Sequence, residues 1–419
     1  MRQTIDHLDL YRLPWNLCDN GISWLEPTHK CNLSCDGCYR ENRQEHKSFD
    51  RTLHELDVFA RHRRSDALSI AGGDPLLYPD LIRTVEEAAR MGYKPVVNTN
   101  GRALDRELAH RLKAAGLAGF TFHVDSKQGR PGRWRGKSEL ELCELRLELA
   151  DIAREIDVSC SFNATIYPDT LDAVVPLTRW AEDHMDRVQV MVFILYRDVV
   201  TRNYQYFAGS DPVNLLPPDP LPVPQKRSRR GATTYNLDVD KTREHVDARQ
   251  VVERIRREIP DFRPSAYLNG SEDPQSFKWL LSGRIGRPTE TLGWVGPKFQ
   301  ELVQATHHLF TDRYLAYPRR PSTRAGRSAL LLGAVDDGIR AAAQRFLGQS
   351  LRNPLKALRP LYFQSVLIIQ PIDILPDGRM NMCDGCPDMT VYGDELVWSC
   401  RMDEQERYGR NLRAEPIRG

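Results

Sequence analysis

Gly21-Ile-Ser-Trp-Leu-Glu-Pro-Thr-His-Lys-Cys31-Asn-Leu-Ser-Cys35-Asp-Gly-Cys38-Tyr39 sets the reading of the whole chain. Its apolar opening predicts a short strand that runs into a loop carrying three cysteines at C-x3-C-x2-C spacing. Three thiolates are one fewer than the four ligands that close a structural zinc site. A four-iron cubane held by three cysteines keeps one iron free, and the amine and carboxylate of a small molecule can chelate it. The alternative is a zinc knuckle whose fourth ligand lies elsewhere, with His29 beside the motif as a candidate.

Downstream, strands and helices alternate. Asp66-Ala-Leu-Ser-Ile-Ala is a buried-type strand that ends in Gly72-Gly73-Asp74-Pro75. Strands also read at Lys94–Gly101, Gly119–Asp125, Val158–Thr165 and Arg187–Tyr196, with helical periodicity over 52–63, 81–91, 104–115, 139–156 and 171–185. Such alternation predicts a parallel sheet of βα units. Six units over residues 21–196 are too few for a closed eight-unit barrel, so the expected fold is α/β, a partial (β/α)6 TIM-like barrel. Ligands of such folds bind at the carboxyl ends of the strands. The cysteine loop, Gly72, Gly73, Asp74 and Pro75, Asn98 and Asn100, and His123, Asp125 and Ser126 would meet there.

The chain has nine cysteines, at 18, 31, 35, 38, 143, 160, 383, 386 and 400. Tight clusters in a 419-residue chain point to metal binding rather than to a disulfide framework. The second cluster is Cys383-Asp-Gly-Cys386 followed by Cys400. Ser365–Leu375 reads as a strand, Pro376-Asp-Gly378 as a hairpin turn, and Arg379–Cys383 as the return strand that delivers Cys383. A zinc site is again the alternative. Cys18 is either a fourth ligand of this cluster or a plain buried thiol, and without it the fourth position is left for substrate; Cys143 and Cys160 read as core.

The organisation read from the sequence is an N-terminal segment (1–20), the barrel (21–196), a mostly helical insertion that could cap the barrel mouth (197–360), and a small C-terminal cluster-binding hairpin domain (361–419). The insertion opens with a Pro-rich stretch from Pro212 to Pro224 and a basic run, Gln225–Arg230, and holds a possible strand at 233–240 and helical patterns at 243–259, 296–311 and 327–348. Adjacent His307 and His308 point different ways on a helix and suit packing better than a shared metal. The cationic stretch Lys127, Arg130, Arg133, Arg135 and Lys137 suits a solvated loop better than an anion site. Lys+Arg number 59 against 57 Asp+Glu, a net charge of +2, which argues against a nucleic-acid or anionic-membrane coat. No apolar run reaches about 20 residues, as a membrane-spanning helix requires, and the N-terminus lacks a secretory pattern. A cytoplasmic location is expected.

Cys31-x3-Cys35-x2-Cys38-Tyr39 after one strand, with Gly72-Gly73-Asp74-Pro75 at the end of the second, resembles the signature of the radical S-adenosylmethionine (SAM) superfamily over about 21–196. Asp74 stands where that family usually has Glu. The resemblance implies an enzyme in which Cys31, Cys35 and Cys38 hold a 4Fe–4S cluster and SAM chelates its fourth iron. It implies Asp74 for the SAM amine, and Asn98, Asn100, Asp125 and Ser126 as candidates for ribose or substrate contacts. It also implies an electron donor such as flavodoxin or ferredoxin. The tail is similar to the Twitch or SPASM regions appended to many of these enzymes, which implies one auxiliary 4Fe–4S cluster on Cys383, Cys386 and Cys400. The substrate stays open among peptide, nucleotide, lipid and natural product. A non-catalytic iron–sulfur sensor and a zinc-binding scaffold are the other two classes.

Overall fold

The computed structural model describes residues 5–197, 203–215, 245–318 and 326–417. A short edge strand, β1 (Tyr11–Arg12), precedes six parallel strands: β2 (Ile22–Leu25), β3 (Ala67–Ile70), β4 (Lys94–Thr99), β5 (Gly119–His123), β6 (Ser159–Ile166) and β7 (Val190–Leu195). Each pairs with the next in order. Helices α1 (Phe49–His62), α2 (Leu81–Arg90), α3 (Arg106–Ala114), α4 (Cys143–Glu155) and α5 (Val174–Asp183) follow β2 to β6 in turn. These are the strands and helices the alternation predicts.

Side-chain alternation explains why the strands sit as they do. Leu68 and Ile70, Phe120 and Phe122, and Cys160, Phe162 and Ala164 share one core with Leu56, Val58 and Phe59 of α1 and Leu145 and Leu149 of α4. A fully buried side chain of this size contributes about 1.5–3 kcal/mol. The alternate positions, Ser69, Asn98, Thr121, His123, Asn163 and Thr165, therefore face the other way and give the concave side of the sheet a polar lining. α1 starts where Ser48 accepts a hydrogen bond from the Arg51 N–H and ends with Arg61 and His62 in its last turn, the arrangement a helix dipole favours.

Beyond β7 the structure departs from the expected layout. The 197–360 stretch supplies the expected helices, among them α6 (Ala248–Glu258), α7 (Pro297–Thr311) and a third over Asp337–Arg352. It also supplies strands: β8 (Tyr204–Ala208), β9 (Asp211–Val213), β10 (Ala266–Asn269), β11 (Phe277–Arg287) and β12 (Glu290–Trp294). The strand expected to open the tail domain, β13 (Tyr362–Ile369), instead pairs parallel with β7 and antiparallel with β11. β11 then pairs with β10, and β10 with β1. A domain boundary at 361 would cut through this sheet. β11 does not read as a strand because Gly283, Arg284 and Gly286 interrupt it. Arg284 is buried with its guanidinium on Gln364 Oε1 and the Thr178 carbonyl, and Phe363 and Val295 fill the space a Gly283 side chain would take.

In the tail, β14 (Asp373–Ile374) and β15 (Met380–Asn381) form the predicted hairpin around Pro376-Asp-Gly378. A second hairpin, β16 (Met389–Tyr392) with β17 (Glu395–Trp398), leads to Cys400 and a helix over Met402–Tyr408. β18 (Arg413–Pro416) pairs with β8. The basic run and the strand expected at 233–240 lie outside the described residues. No described helix is long and apolar enough to cross a membrane. His307 binds the Arg313 carbonyl and His308 the Asp19 carboxylate, so the two imidazoles part as expected.

Candidate functional site

The loop from Cys31 to Cys38 leaves the end of β2 and is clamped by the end of β3. Gly73 N–H donates to the Thr28 carbonyl and Asp74 N–H to the Lys30 carbonyl, both at 2.7 Å. Gly72 sits at φ +103°, and a side chain on Gly72 or Gly73 would overlap the Thr28 or Lys30 carbonyl oxygen. The glycine pair is thus required by close backbone approach to the segment that delivers Cys31. Inside the loop, Gly37 lies where a side chain would meet the Tyr167 phenol, whose ring stacks on Tyr196 at 4.9 Å. Gly73→Ala is expected to displace the Lys30–Cys31 backbone. Iron bound per chain should fall at least twofold after reconstitution, whereas unchanged loading would show that the clamp is dispensable.

Asp74 is fully buried. Its carboxylate accepts from the Thr99 hydroxyl at 2.8 and 2.9 Å, the Asn100 N–H at 3.0 Å and the Leu76 N–H at 3.0 Å. Burial pushes its pKa up, against the pull of these donors. The carboxylate therefore ties β3 to β4 and caps the turn that Pro75 begins. Asn100 carries the tie onward: its amide donates to Asn32 Oδ1 at 2.8 Å and stands 3.7 Å from Cys31 Sγ. Asn98 is half-buried and reaches only the Val96 carbonyl of its own strand, at 3.5 Å, among the described partners.

At the end of β5, His123 Nε2 lies 3.1 Å from Asp125 Oδ2 and 3.0 Å from the Thr165 hydroxyl. Burial opposes the Asp125 charge, but the imidazole and the Lys127 N–H outweigh it and hold the carboxyl below its usual range. Ser126 is fixed by its N–H, which donates to Glu139 Oε1. Arg130 is buried and donates to the Asn100 and His123 carbonyls. Lys127, Arg133 and Lys137 pair with Asp169, Glu148 and Glu141. Four of the five cations of this stretch thus contact protein groups, and Arg130 among them is buried rather than solvated. The Asp36 N–H donates to the Lys127 carbonyl, which seats this turn on the cysteine loop.

The thiols differ in setting. Burial pushes Cys31 up to about 11 and Cys400 up to about 12. Cys386 is raised first by its contact with the Cys383 thiol and then by burial, and Cys383 also bears on Cys400, so the tail thiols share one electrostatic neighbourhood. Bare thiols of this kind hold their protons at neutral pH and release them to a metal. Among the described residues no three Cys, His, Asp or Glu side chains sit at the spacing of a single ion's ligands. A cluster of several irons holds its thiolates farther apart than one ion does. Cys18 is exposed, unlike Cys386, but its segment does pack beside the tail: Asn20 donates to the Gly385 carbonyl at 3.1 Å. Cys160 is core as read, and Cys143 lies half-buried at the start of α4.

Sequence reasoning missed the link between the two cysteine sets. Tyr39, next to Cys38, packs in one apolar cluster with Trp398 and Cys400. Its phenol and the Ser399 hydroxyl both donate to Glu26 Oε1, at 3.3 and 3.0 Å. Arg40, 3% exposed, bonds both Glu26 and Asp403. The first loop and the tail are thereby joined by one buried ionic network. Tyr317, beyond α7, was also missed: its hydroxyl lies 3.3 Å from Ser69 Oγ on the polar lining. Asn163 Oδ1 and the Tyr167 hydroxyl are buried there without a hydrogen-bond partner among the described residues, which leaves polar atoms for a ligand.

A family model described as the radical SAM superfamily matches residues 25–181, the span from β2 to α5. Fe-coproporphyrin III synthase of Methanosarcina barkeri is 29% identical over 116 residues, 26% of this chain and 28% of that protein. GTP 3',8-cyclase of Streptomyces coelicolor is 29% identical over 167 residues, 38% of this chain and 48% of that protein. The chain thus spans less than half the length of either relative. Streptococcus suis SuiB, solved with its precursor peptide SuiA, aligns at 16% identity with a TM-score of 0.36 over 44% of this chain and 41% of that one.

Proposed function

We propose that this chain, which belongs to the radical SAM superfamily through its domain at residues 25–181, uses that domain to cleave SAM reductively and modify a substrate held on the polar concave face of its sheet. The observation that carries the reading is the clamp: Gly72, Gly73 and Asp74 fasten a three-cysteine loop at the carboxyl end of a parallel barrel sheet. Cys31, Cys35 and Cys38 would hold a 4Fe–4S cluster with one iron left for SAM, and Cys383, Cys386 and Cys400 a second cluster. When bound and reduced by a flavodoxin- or ferredoxin-type donor, the first cluster supplies the electron that splits SAM into methionine and a 5′-deoxyadenosyl radical.

The chain's own residues do the rest. Asp74 fixes Thr99 and the Asn100 N–H, beside the ligand-amine contact that the resemblance implies for it, and Asn100 in turn orients the loop at Asn32. Asn98, Asp125 and Ser126 would stand at the strand ends where a nucleoside or substrate hydroxyl can bind. Phe120, Phe122 and Phe162 pack in the core on the sheet's other face. The substrate stays open; the names of the two curated relatives make tetrapyrroles and nucleotides classes to test first.

The deciding experiment assays 5′-deoxyadenosine from anaerobically reconstituted, dithionite-reduced protein. Cys386→Ala is expected to keep SAM cleavage within about threefold of wild type, a difference of roughly 0.7 kcal/mol, while product from the true substrate is lost. Normal product formation by that variant would remove the second cluster from the reaction. No 5′-deoxyadenosine from iron-loaded wild type would remove the proposal itself.

A further inference from the structure

Arg63 follows α1 directly and is 2% exposed. Its guanidinium donates to four carbonyls: Ile22 at 2.9 Å, Leu17 at 2.9 Å, Cys386 at 2.7 Å and Pro387 at 3.2 Å. One side chain thus joins the first barrel strand, the N-terminal segment and the tail cysteine loop. The same junction is packed from the other side, where Gly385, at φ +70°, leaves no room for a side chain against the Trp15 carbonyl.

Arg63, like Arg130 beside the first cysteine loop, is buried without an ion pair among the described residues. Arg40 and Arg146 are also buried, and each bonds a carboxylate, Glu26 and Glu139 respectively. Among the described residues no carboxylate is paired with Arg63 at ion-pair distance. Burial lowers its pKa to about 10, and the groups that most oppose this are the Cys386 thiol and then Asp388. A buried cation without an ionic partner is costly. A set of three thiolates around an iron–sulfur cluster is anionic and would offset that cost at this place.

We propose that Arg63 is a positioning residue for a cluster held by Cys383, Cys386 and Cys400, fixing its loop to the barrel and raising its reduction potential. This rests on the second cluster of the proposed function. Reduction adds negative charge to the cluster, so a fixed cation nearby stabilises the reduced form more than the oxidised one. Arg63→Gln removes the charge. Arg63→Lys keeps the charge but cannot span four carbonyls.

The test counts iron and sulfide in wild type, Arg63→Gln and Arg63→Lys, then follows the reduction of each cluster by EPR across a series of poised potentials. The signal that survives in a Cys383/Cys386/Cys400→Ala variant identifies the first cluster and serves as internal control. Arg63→Gln should lower the equilibrium constant for one-electron reduction of the second cluster at least tenfold, about 59 mV, with the first cluster unchanged. Arg63→Lys should lose at least half of the second cluster's iron while the remainder titrates as in wild type. If Arg63→Gln does not fold, the Arg63→Lys loading decides. Full loading and an unshifted potential in both variants would overturn the role of Arg63. Wild type with a single cluster would overturn the second-cluster reading, and this inference with it.

Discussion

Cys35→Ala protein, reconstituted and reduced like wild type, is expected to release no 5′-deoxyadenosine above background. The loop offers three thiolates between β2 and α1, and a cubane with an iron left for SAM needs all of them. The polar side chains beside the loop hold other partners, though His29 Nδ1 is buried without one among the described residues. Asn42 is tied to the Cys31 backbone through its Oδ1 and Nδ2, both at 3.0 Å. His29 lies 3.3 Å from the Glu406 carboxylate. The fold should survive, because Cys35 contributes nothing to the main core. An unchanged thermal transition with lost SAM cleavage is the expected pair of results. Residual cleavage above about 1% of wild type, a barrier change under roughly 2.7 kcal/mol, would show that Cys35 is not a ligand.

Arg40→Leu should be the most destabilising single change. Arg40 joins Glu26 at the end of β2 to Asp403 in the tail helix, and all three are buried. Removing the cation strands two carboxylates away from water. Breaking a buried pair in this way costs about 3–5 kcal/mol. The loss should appear in urea unfolding as a lower midpoint, and the tail should become the first part cut by protease. Replacing Glu26, Arg40 and Asp403 together by Gln, Met and Asn should recover part of the stability, since no charge is then stranded. A change under about 1 kcal/mol in Arg40→Leu would mean that the network contributes little.

The six parallel strands were legible because each carries two independent signals. The outward residues, such as Phe120 and Phe122, are apolar, and the strand ends in polar or glycine residues that a rim loop needs. The hairpin at Pro376-Asp-Gly378 was legible for a similar reason: Gly378 adopts φ +89°, which its neighbours would resist. β10 to β12 were not legible, since the glycines and arginine within β11 make sense only against Phe363, Val295 and Gln364. β13 was seen as a strand but given to the wrong unit, because pairing partners leave no local mark.

In the candidate site, the cysteines and Gly72-Gly73-Asp74 were visible as spacing. The structural part of Asp74 was not visible: besides the ligand-amine contact that the resemblance implies, its oxygens accept from Thr99, Asn100 and Leu76. Arg40 and Asp403 lie 363 positions apart, and Arg63 is one of 59 Lys and Arg residues with no motif around it. Long-range charge pairing of this kind follows from the fold and cannot be read ahead of it.

The most direct test of the central claim is metal and sulfide analysis with EPR on anaerobically prepared protein. It should cover wild type, the Cys31/Cys35/Cys38→Ala variant and the Cys383/Cys386/Cys400→Ala variant. The account predicts about eight irons and eight sulfides in wild type and about four of each in either variant, with SAM perturbing only the signal that the first variant lacks. Zinc in place of iron, or a SAM-insensitive signal from the Cys31–Cys38 loop, would contradict it.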